Sequence, residues 1–399
     1  MKVKVLAAFV VVVFGASCAG TPAPRQVAGD RLYEAISAES PTLAVIDSRS
    51  RNADRKLGLG VPSPDWRHLY SIVATSLVDT DPGTGSLRNS MQLGGSYGLP
   101  AATANGVPGG LSPNGMWLVV QAKDQHATHM LVINTQTFTV RRHIDLAGEF
   151  DFDAVNDSGD NVYLVQHLAG REYYVRLYDI ASGTLTDNIV VDKSDGEQAM
   201  AGVRLSGVAS LDHGWLFSVY VREHENPFVH ALNLDAPFAF CLDLPGGGYA
   251  EDPAQMDWSL ALSPDGKSLY AVNTATGVIA VASTGADGAP AIVRTAHLEA
   301  ATGGGAVRGA ISATVAGAFV VAGGPSGVTW IDATTLRIHA HTVPGWSIAG
   351  VGLSSDRQTV YAVSAEGRIA VIATPSARVV GMFDPGVGEP MALMRVEAA

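Results

Sequence analysis

Cysteine is nearly absent: the 399 residues hold two, Cys18 and Cys241, too few for a disulfide framework. Basic residues are also scarce, with 26 Lys and Arg against 38 Asp and Glu, giving a formal net charge of −12. That balance excludes the basic footprint that nucleic acid requires, and it suits a monomeric chain kept in solution by its own charge. No apolar run approaches the ~20 residues of a membrane-spanning helix. The 47% hydrophobic content therefore belongs to a buried core. No phosphate-cradling Gly-x-x-x-x-Gly-Lys-Ser/Thr run and no haem-attaching Cys-x-x-Cys-His are present, so no cofactor is expected. Gly94-Gly95-Ser96-Tyr97-Gly98 matches the nucleophile-elbow pattern, but no helical stretch follows it, and the pattern has meaning only between a strand and a helix.

What is present is a repeated phrase. Its fullest copy is Leu262-Ser263-Pro264-Asp265-Gly266-Lys267-Ser268-Leu269-Tyr270-Ala271-Val272. Near-copies run from Leu111-Ser112-Pro113-Asn114-Gly115 to Val120 and from Leu353-Ser354-Ser355-Asp356-Arg357 to Val363. Proline pre-sets φ for a type I turn, aspartate bonds the local backbone, and glycine accepts the positive φ that follows. The flanks alternate and are rich in β-branched and aromatic residues, so each copy reads as a tight hairpin. Weaker copies lack the glycine at Ser63-Pro64-Asp65-Trp66, or the proline at Asp157-Ser158-Gly159 and Asp212-His213-Gly214.

A second element follows each hairpin: an apolar pair, an Asp or Asn, then a small polar turn. Val45-Ile46-Asp47-Ser48, Leu77-Val78-Asp79-Thr80, Val132-Ile133-Asn134-Thr135, Leu177-Tyr178-Asp179-Ile180 and Trp330-Ile331-Asp332-Ala333 are examples. An Asx-type turn closing a strand makes a second hairpin, and two hairpins make a four-stranded propeller blade. Counting second hairpins predicts an all-β propeller of about eight blades over residues 31–396, with seven as the alternative. The first blade lacks its own leading hairpin. The strand-like run Met391–Val396 is expected to supply its innermost strand and close the ring, which removes exposed sheet edges. These repeats resemble those of YVTN-type β-propellers, relatives of the WD-repeat class. The resemblance implies the fold and leaves the activity open, since such propellers include envelope binding proteins, lactonases and cofactor-dependent enzymes.

The amino terminus points to export. Lys2 and Lys4 precede the nine-residue apolar run Leu6–Phe14 and the small residues Gly15-Ala16-Ser17 before Cys18. This is the layout of a secretory signal over 1–17. The cysteine resembles that of the bacterial lipobox, where it is lipidated and becomes the mature N-terminus; an ordinary cleaved signal is the alternative. Residues 18–30, with Pro22 and Pro24, then form a flexible tether to an envelope membrane. Cys241, in the alternating stretch Phe238–Leu242, reads as a buried strand thiol.

In a propeller, the connections between blades share one face with those between second and third strands. The long connections 94–109, 192–204, 245–257 and 298–308 and the shorter 123–129, 168–172 and 222–228 therefore meet on a top face, opposite the tight turns. Long loops on a rigid scaffold are where binding residues concentrate. The candidate ligand-binding surface is Tyr97, Lys193, Glu197, Arg222, His224, Tyr249 and Arg308. His126 and His129 have a spacing zinc sites use, and Asp192, Asp195 and Glu197 form an acidic loop, but neither set has a diagnostic ligand pattern, so no metal site is assigned. The sequence expectation is a non-catalytic, lipid-anchored envelope module that binds a protein, polymer or small ligand through this face. The alternative is a lactonase-like hydrolase of the same fold, assisted by a divalent cation.

Overall fold

The structure, a computed structural model, describes residues 29–192, 199–285, 288–299 and 313–399. Its strands form eight separate sheets arranged as an eight-bladed β-propeller, and the seven-bladed alternative is not adopted. Blades 2, 6, 7 and 8 are simple four-stranded meanders, such as Trp258–Leu262, Ser268–Asn273, Val278–Ser283 and Ala291–His297 in blade 6. In blade 1 the order is Asn52–Gly58, Thr42–Asp47, Asp30–Ser37 and then Glu389–Ala398. The C-terminal strand is thus the innermost of the first blade, as the sequence predicts, and it packs against the inner strand Ile348–Leu353 of blade 8.

The repeated phrase folds as its chemistry requires. In the fullest copy Ser263 Oγ donates to Asp265 Oδ1 at 2.6 Å while accepting from the Ser268 amide at 2.9 Å, and the Gly266 amide donates to the Ser263 carbonyl. The same lattice recurs at Ser63/Asp65, Ser112/Asn114, Ser210/Asp212 and Ser354/Asp356. The residue after the acid is left-handed in every copy, with φ of 70° at Gly266 and 76° at Gly115. Trp66, His213 and Arg357 hold that conformation without being glycine. At 210–215 it is therefore His213, not Gly214, that stands in the glycine place. The second hairpins close on Asx turns, with Asp47 Oδ1 accepting from the amides of Arg49 and Ser50 and Asp332 Oδ1 from those of Thr334 and Thr335. In blade 2 the turn acid is Asp81, which accepts from the Thr84 amide, rather than Asp79. Asp79 is buried and meets His68 Nδ1 at 2.8 Å.

No single core exists. Each of the eight interfaces between neighbouring blades has its own buried apolar layer: Phe217 and Trp258 between blades 5 and 6, Trp330 and Val360 between blades 7 and 8, Leu32 and Tyr361 where blade 1 meets blade 8. Middle strands face such a layer on both sides and read as continuous apolar runs, whereas outer strands such as Ala291–His297 are mostly exposed. Closure is reinforced by Asp30, whose carboxylate accepts from Ser355 Oγ at 2.6 Å, the Ser355 amide at 3.1 Å and Tyr361 Oη at 2.8 Å, all on blade 8.

Candidate functional site

Blade 3 departs from the repeat in a way that shapes the site. Its sheet has three strands, Trp117–Lys123, Ala127–Asn134 and Thr139–Ala147. In place of a continuous inner strand, Gly98 pairs with Gln121 and, further on, Leu111 pairs with Leu118. Residues 99–109 between them leave the sheet as a small hairpin, in which Ala101 pairs with Pro108 and the Ala102 amide donates to the Val107 carbonyl at 2.8 Å. The hairpin tip reaches two other blades. The Ala104 amide donates to the Arg204 carbonyl of blade 5 at 3.1 Å, and Asn105 Nδ2 donates to the Met391 carbonyl of blade 1 at 3.0 Å. Blades 1 and 5 stand opposite one another in a ring of eight, so a tip that touches both inner strands spans the central channel. Val107 completes the plug by packing with Ala35 and Ala392. The chain can turn back into the sheet because Gly110 has φ 105°; a Cβ there would also lie 2.4 Å from the Val119 carbonyl.

The plug leaves two cavities against blades 4 and 5. The apolar one, about 240 Å³, is walled by Val61, Leu111, Val155, Ala209, Leu216 and Leu234. The other, about 270 Å³, is the more polar of the two, with Gln121, Asp151, His167, Tyr173, Arg204 and Tyr220 in its wall. Phe152, Asp153, Arg204 and Ala101 line both. In the polar cavity Asp151 meets Lys123 Nζ at 2.8 Å and His167 Nε2 at 2.6 Å. Burial alone would raise Asp151, but hydrogen bonds from Lys123 and His167 outweigh it and hold the carboxyl below its ordinary value. Arg204 Nη1 donates to Asp153 Oδ1 at 3.0 Å, while the buried Asp153 Oδ2 and Arg204 Nε have no hydrogen-bond partner among the described residues. Burial pushes the phenols of Tyr173 and Tyr220 well above their usual range, so both remain neutral donors.

Beside this cavity the rim is built from loops of blades 4 and 5 and the connection into blade 6. Arg171 Nη1 donates to Glu223 Oε2 at 2.7 Å and to Tyr249 Oη at 2.6 Å. His224 Nδ1 lies 2.7 Å from Glu251 Oε1, a hydrogen bond that raises the histidine above its ordinary pKa and lowers the glutamate. The amides of Tyr249 and Ala250 donate to the carbonyls of Arg222 and Glu223. Three of the sequence candidates, Arg222, His224 and Tyr249, are thus brought together. Arg222 is committed within its own blade, to Glu225 at 2.9 Å, Asp243 at 2.8 Å and the face of Phe228. Tyr97 stands apart, half-buried against the apolar layer between blades 2 and 3. Cys18, Lys193, Glu197 and Arg308 lie outside the described residues, as do Asp195 and the body of 298–308. His129 is held between two carboxylates, Asp145 at 2.6 Å and Asp124 at 3.2 Å, and no contact joins it to His126. Among the described residues no three His, Cys, Asp or Glu gather within reach of one metal ion.

Sequence reasoning missed Asp151, Asp153, His167 and Arg204 as one constellation. The loops were placed on this face, but these four residues come from the strands beneath them. A signal was available: Asp151, Asp153 and Arg204 are charged residues on inner strands, where a small barrel or propeller ordinarily presents small or apolar side chains.

No protein-family model matches the chain, and no curated protein matches its sequence. Solved structures do match its fold. AztD from Citrobacter koseri, in its apo form, superposes with a TM-score of 0.58 at 10% identity, over 94% of this chain and 98% of that one. The dihydro-heme d1 dehydrogenase NirN, in complex with DHE, superposes with a TM-score of 0.53 at 14% identity, over 92% of this chain and 75% of that one. At these identities the likeness is one of fold.

Proposed function

We propose that the protein is a non-catalytic binding module of the bacterial envelope, held to a membrane by a lipid on Cys18, that takes a small polar ligand at its top face between blades 3, 4 and 5. The observation that carries this reading is the plugged channel. The hairpin 99–109 closes the axis and leaves a polar cavity of about 270 Å³ walled by Gln121, Asp151, His167 and Arg204, next to the Arg171–Tyr249 rim. Concave sites with a few converging polar groups on a mostly apolar wall are where small ligands bind. The YVTN-like repeats fit such a role. The hydrolase alternative asks for acids free to hold a cation or activate water, and here Asp151 is engaged by Lys123 and His167 and Asp153 by Arg204.

The test is a ligand screen by native mass spectrometry on the full chain, followed by titration of hits into His167→Leu and Arg204→Met variants. A compound whose affinity falls at least tenfold in both, while Lys267→Glu on the turn face leaves it unchanged, supports the reading. Equal affinity in all three proteins, or loss only in the turn-face variant, would sink it. The anchor is read separately: Cys18→Ser should move the protein from the membrane to the soluble fraction, because acyl chains contribute about 0.8 kcal/mol per buried CH₂.

A further inference from the structure

Five histidines of this protein, His68, His129, His167, His213 and His224, each meet a carboxylate. His230 meets sulfur. It lies directly across from Cys241 on the adjacent strands Phe228–Asn233 and Phe238–Asp243 of blade 5, and its Nδ1 is 3.7 Å from Cys241 Sγ. The same Sγ is 3.8 Å from the Sδ of Met200. Met200 comes from another part of the fold: its short strand pairs with Tyr173 of blade 4, so the three side chains meet across an interface between blades. The His230 ring packs edge-on against Tyr220 at 6.1 Å, which fixes the direction of its nitrogens.

We propose that Cys241, His230 and Met200 form a binding site for a single copper(I) ion. Three atoms each bonded at about 2.0–2.3 Å to a central metal in a trigonal plane stand about 3.5–4.0 Å apart. The two separations seen here fall in that interval. The chemistry of the set selects the metal: thiolate and thioether are soft donors that favour copper(I), and a thioether is a poor ligand for zinc, calcium or magnesium. Charge selects it again. Binding releases the thiol proton to solvent, and one thiolate with one monovalent cation leaves a neutral site, whereas a divalent ion would leave a net positive charge. Met200 and Cys241 pack against a layer containing Tyr173, Tyr220, Val175 and Phe228, where an uncompensated charge would be costly. No redox step is involved, since the metal enters and leaves as copper(I). Cys241 is half-buried, which leaves the thiol within reach of an incoming ion.

The experiment uses the full chain carrying Cys18→Ser, so that Cys241 is its single thiol, kept under anaerobic conditions with excess ascorbate. Copper(I) is titrated against a chromophoric bidentate chelator, and alkylation of Cys241 by iodoacetamide is followed by mass spectrometry. The expected result is one copper(I) per chain, protection of Cys241 from alkylation when loaded, and affinity lowered at least about tenfold by Met200→Leu and about a hundredfold by Cys241→Ser. Zinc(II) added in equal amount should neither protect the thiol nor displace the copper. Met200→Leu preserves volume and the thiol, so it keeps the test decisive if Cys241→Ser folds poorly. Absence of stoichiometric copper(I) binding, affinity unchanged in Met200→Leu, or tighter binding of zinc(II) would each overturn the assignment.

Discussion

Replacing Glu34 by glutamine should remove a large part of the protein's pH dependence between pH 6 and 8. Glu34 lies on the strand Asp30–Ser37 of blade 1, on the face it shares with Leu32 and Ile36, and it is fully buried where that blade meets blade 8. Neither carboxyl oxygen has a hydrogen-bond partner among the described residues. Burial, with a smaller contribution from the charge of Asp384, pushes its pKa up from the ordinary 4.5 to about 8. The native state therefore keeps a proton that the unfolded chain gives up above about pH 4.5. Where the native state binds more protons, stability falls as pH rises, by about 1.4 kcal/mol per unit. The loss begins near the unfolded value and levels off above the folded one. Between pH 6 and 8 it comes to about 2 kcal/mol for this one residue.

Asp257 supplies a comparison. It is buried at the start of the inner strand of blade 6, accepts from Thr274 Oγ1 at 2.9 Å and the Ala275 amide at 3.1 Å, and is raised by burial to about 7. Its share of the same window is about 1 kcal/mol and falls mostly below pH 7. Urea unfolding of wild type, Glu34→Gln and Asp257→Asn at pH 6, 7 and 8 separates the two. The Glu34→Gln protein should gain on wild type by about 2 kcal/mol from pH 6 to pH 8, with the gain continuing above pH 7, while Asp257→Asn should make most of its gain below it. The absolute stability of Glu34→Gln at pH 6 decides nothing, because the amide also lacks partners; the change with pH does. A stability difference that stays constant from pH 6 to 8 would mean the Glu34 carboxyl is ionised in the native protein, and the account of its burial would be wrong.

Other consequences are open to simpler measurements. Deleting Met391–Ala399 removes most of the inner strand of blade 1, so the chain should expose two sheet edges and precipitate on expression; unchanged melting would mean the ring closes without it. Asp30→Ala takes three hydrogen bonds from the same seam and should cost about 2–4 kcal/mol in chemical unfolding. Arg357 holds φ at 60° at the turn position that Gly115 and Gly266 occupy in two other copies, so Arg357→Gly should stabilise by about 0.5–1 kcal/mol; a loss of stability would show that the side chain matters more than the backbone strain. Charge reversal at Lys193 and Arg308 should weaken ligand binding, and reversal at Asp265 or Lys267 should not, as titration of each variant will show.

The blade count and the closing strand were legible because each depends on local chemistry. A Ser-Pro-Asp-Gly turn or an Asx turn is encoded within five residues, and a repeated local code reveals its period. The plug was not legible for the opposite reason. Its tip is anchored on the backbone carbonyls of Arg204 and Met391, and a carbonyl acceptor carries no signature in the sequence to mark it as the partner of Ala104 or Asn105. The polar cavity shares this difficulty, since Asp153 and Arg204 are 51 positions apart and meet only because blades 4 and 5 are neighbours. Glu34 lies between these cases. Alternation along Leu32-Tyr33-Glu34-Ala35-Ile36 places the glutamate on an apolar face, a local clue to a buried acid that the search for motifs passed over.

The hairpin joins two properties that a propeller ordinarily keeps apart. In a ring of blades each apolar layer is local, so a change in one interface is felt mainly by its two blades. Here Ala104 in the plug is bonded to the carbonyl of the cavity residue Arg204, and the next residue, Asn105, is bonded to the strand that closes the ring. Both bonds leave from one turn, closed by the Gly106 amide on the Thr103 carbonyl at 3.0 Å. Displacement of the tip would therefore free the Arg204 and Met391 carbonyls together. A ligand that bound the native cavity would stabilise the closed ring by the ordinary mass action of binding to the folded state, so a rise in melting temperature on adding a hit, lost in Asn105→Ala, is the expected sign of this coupling.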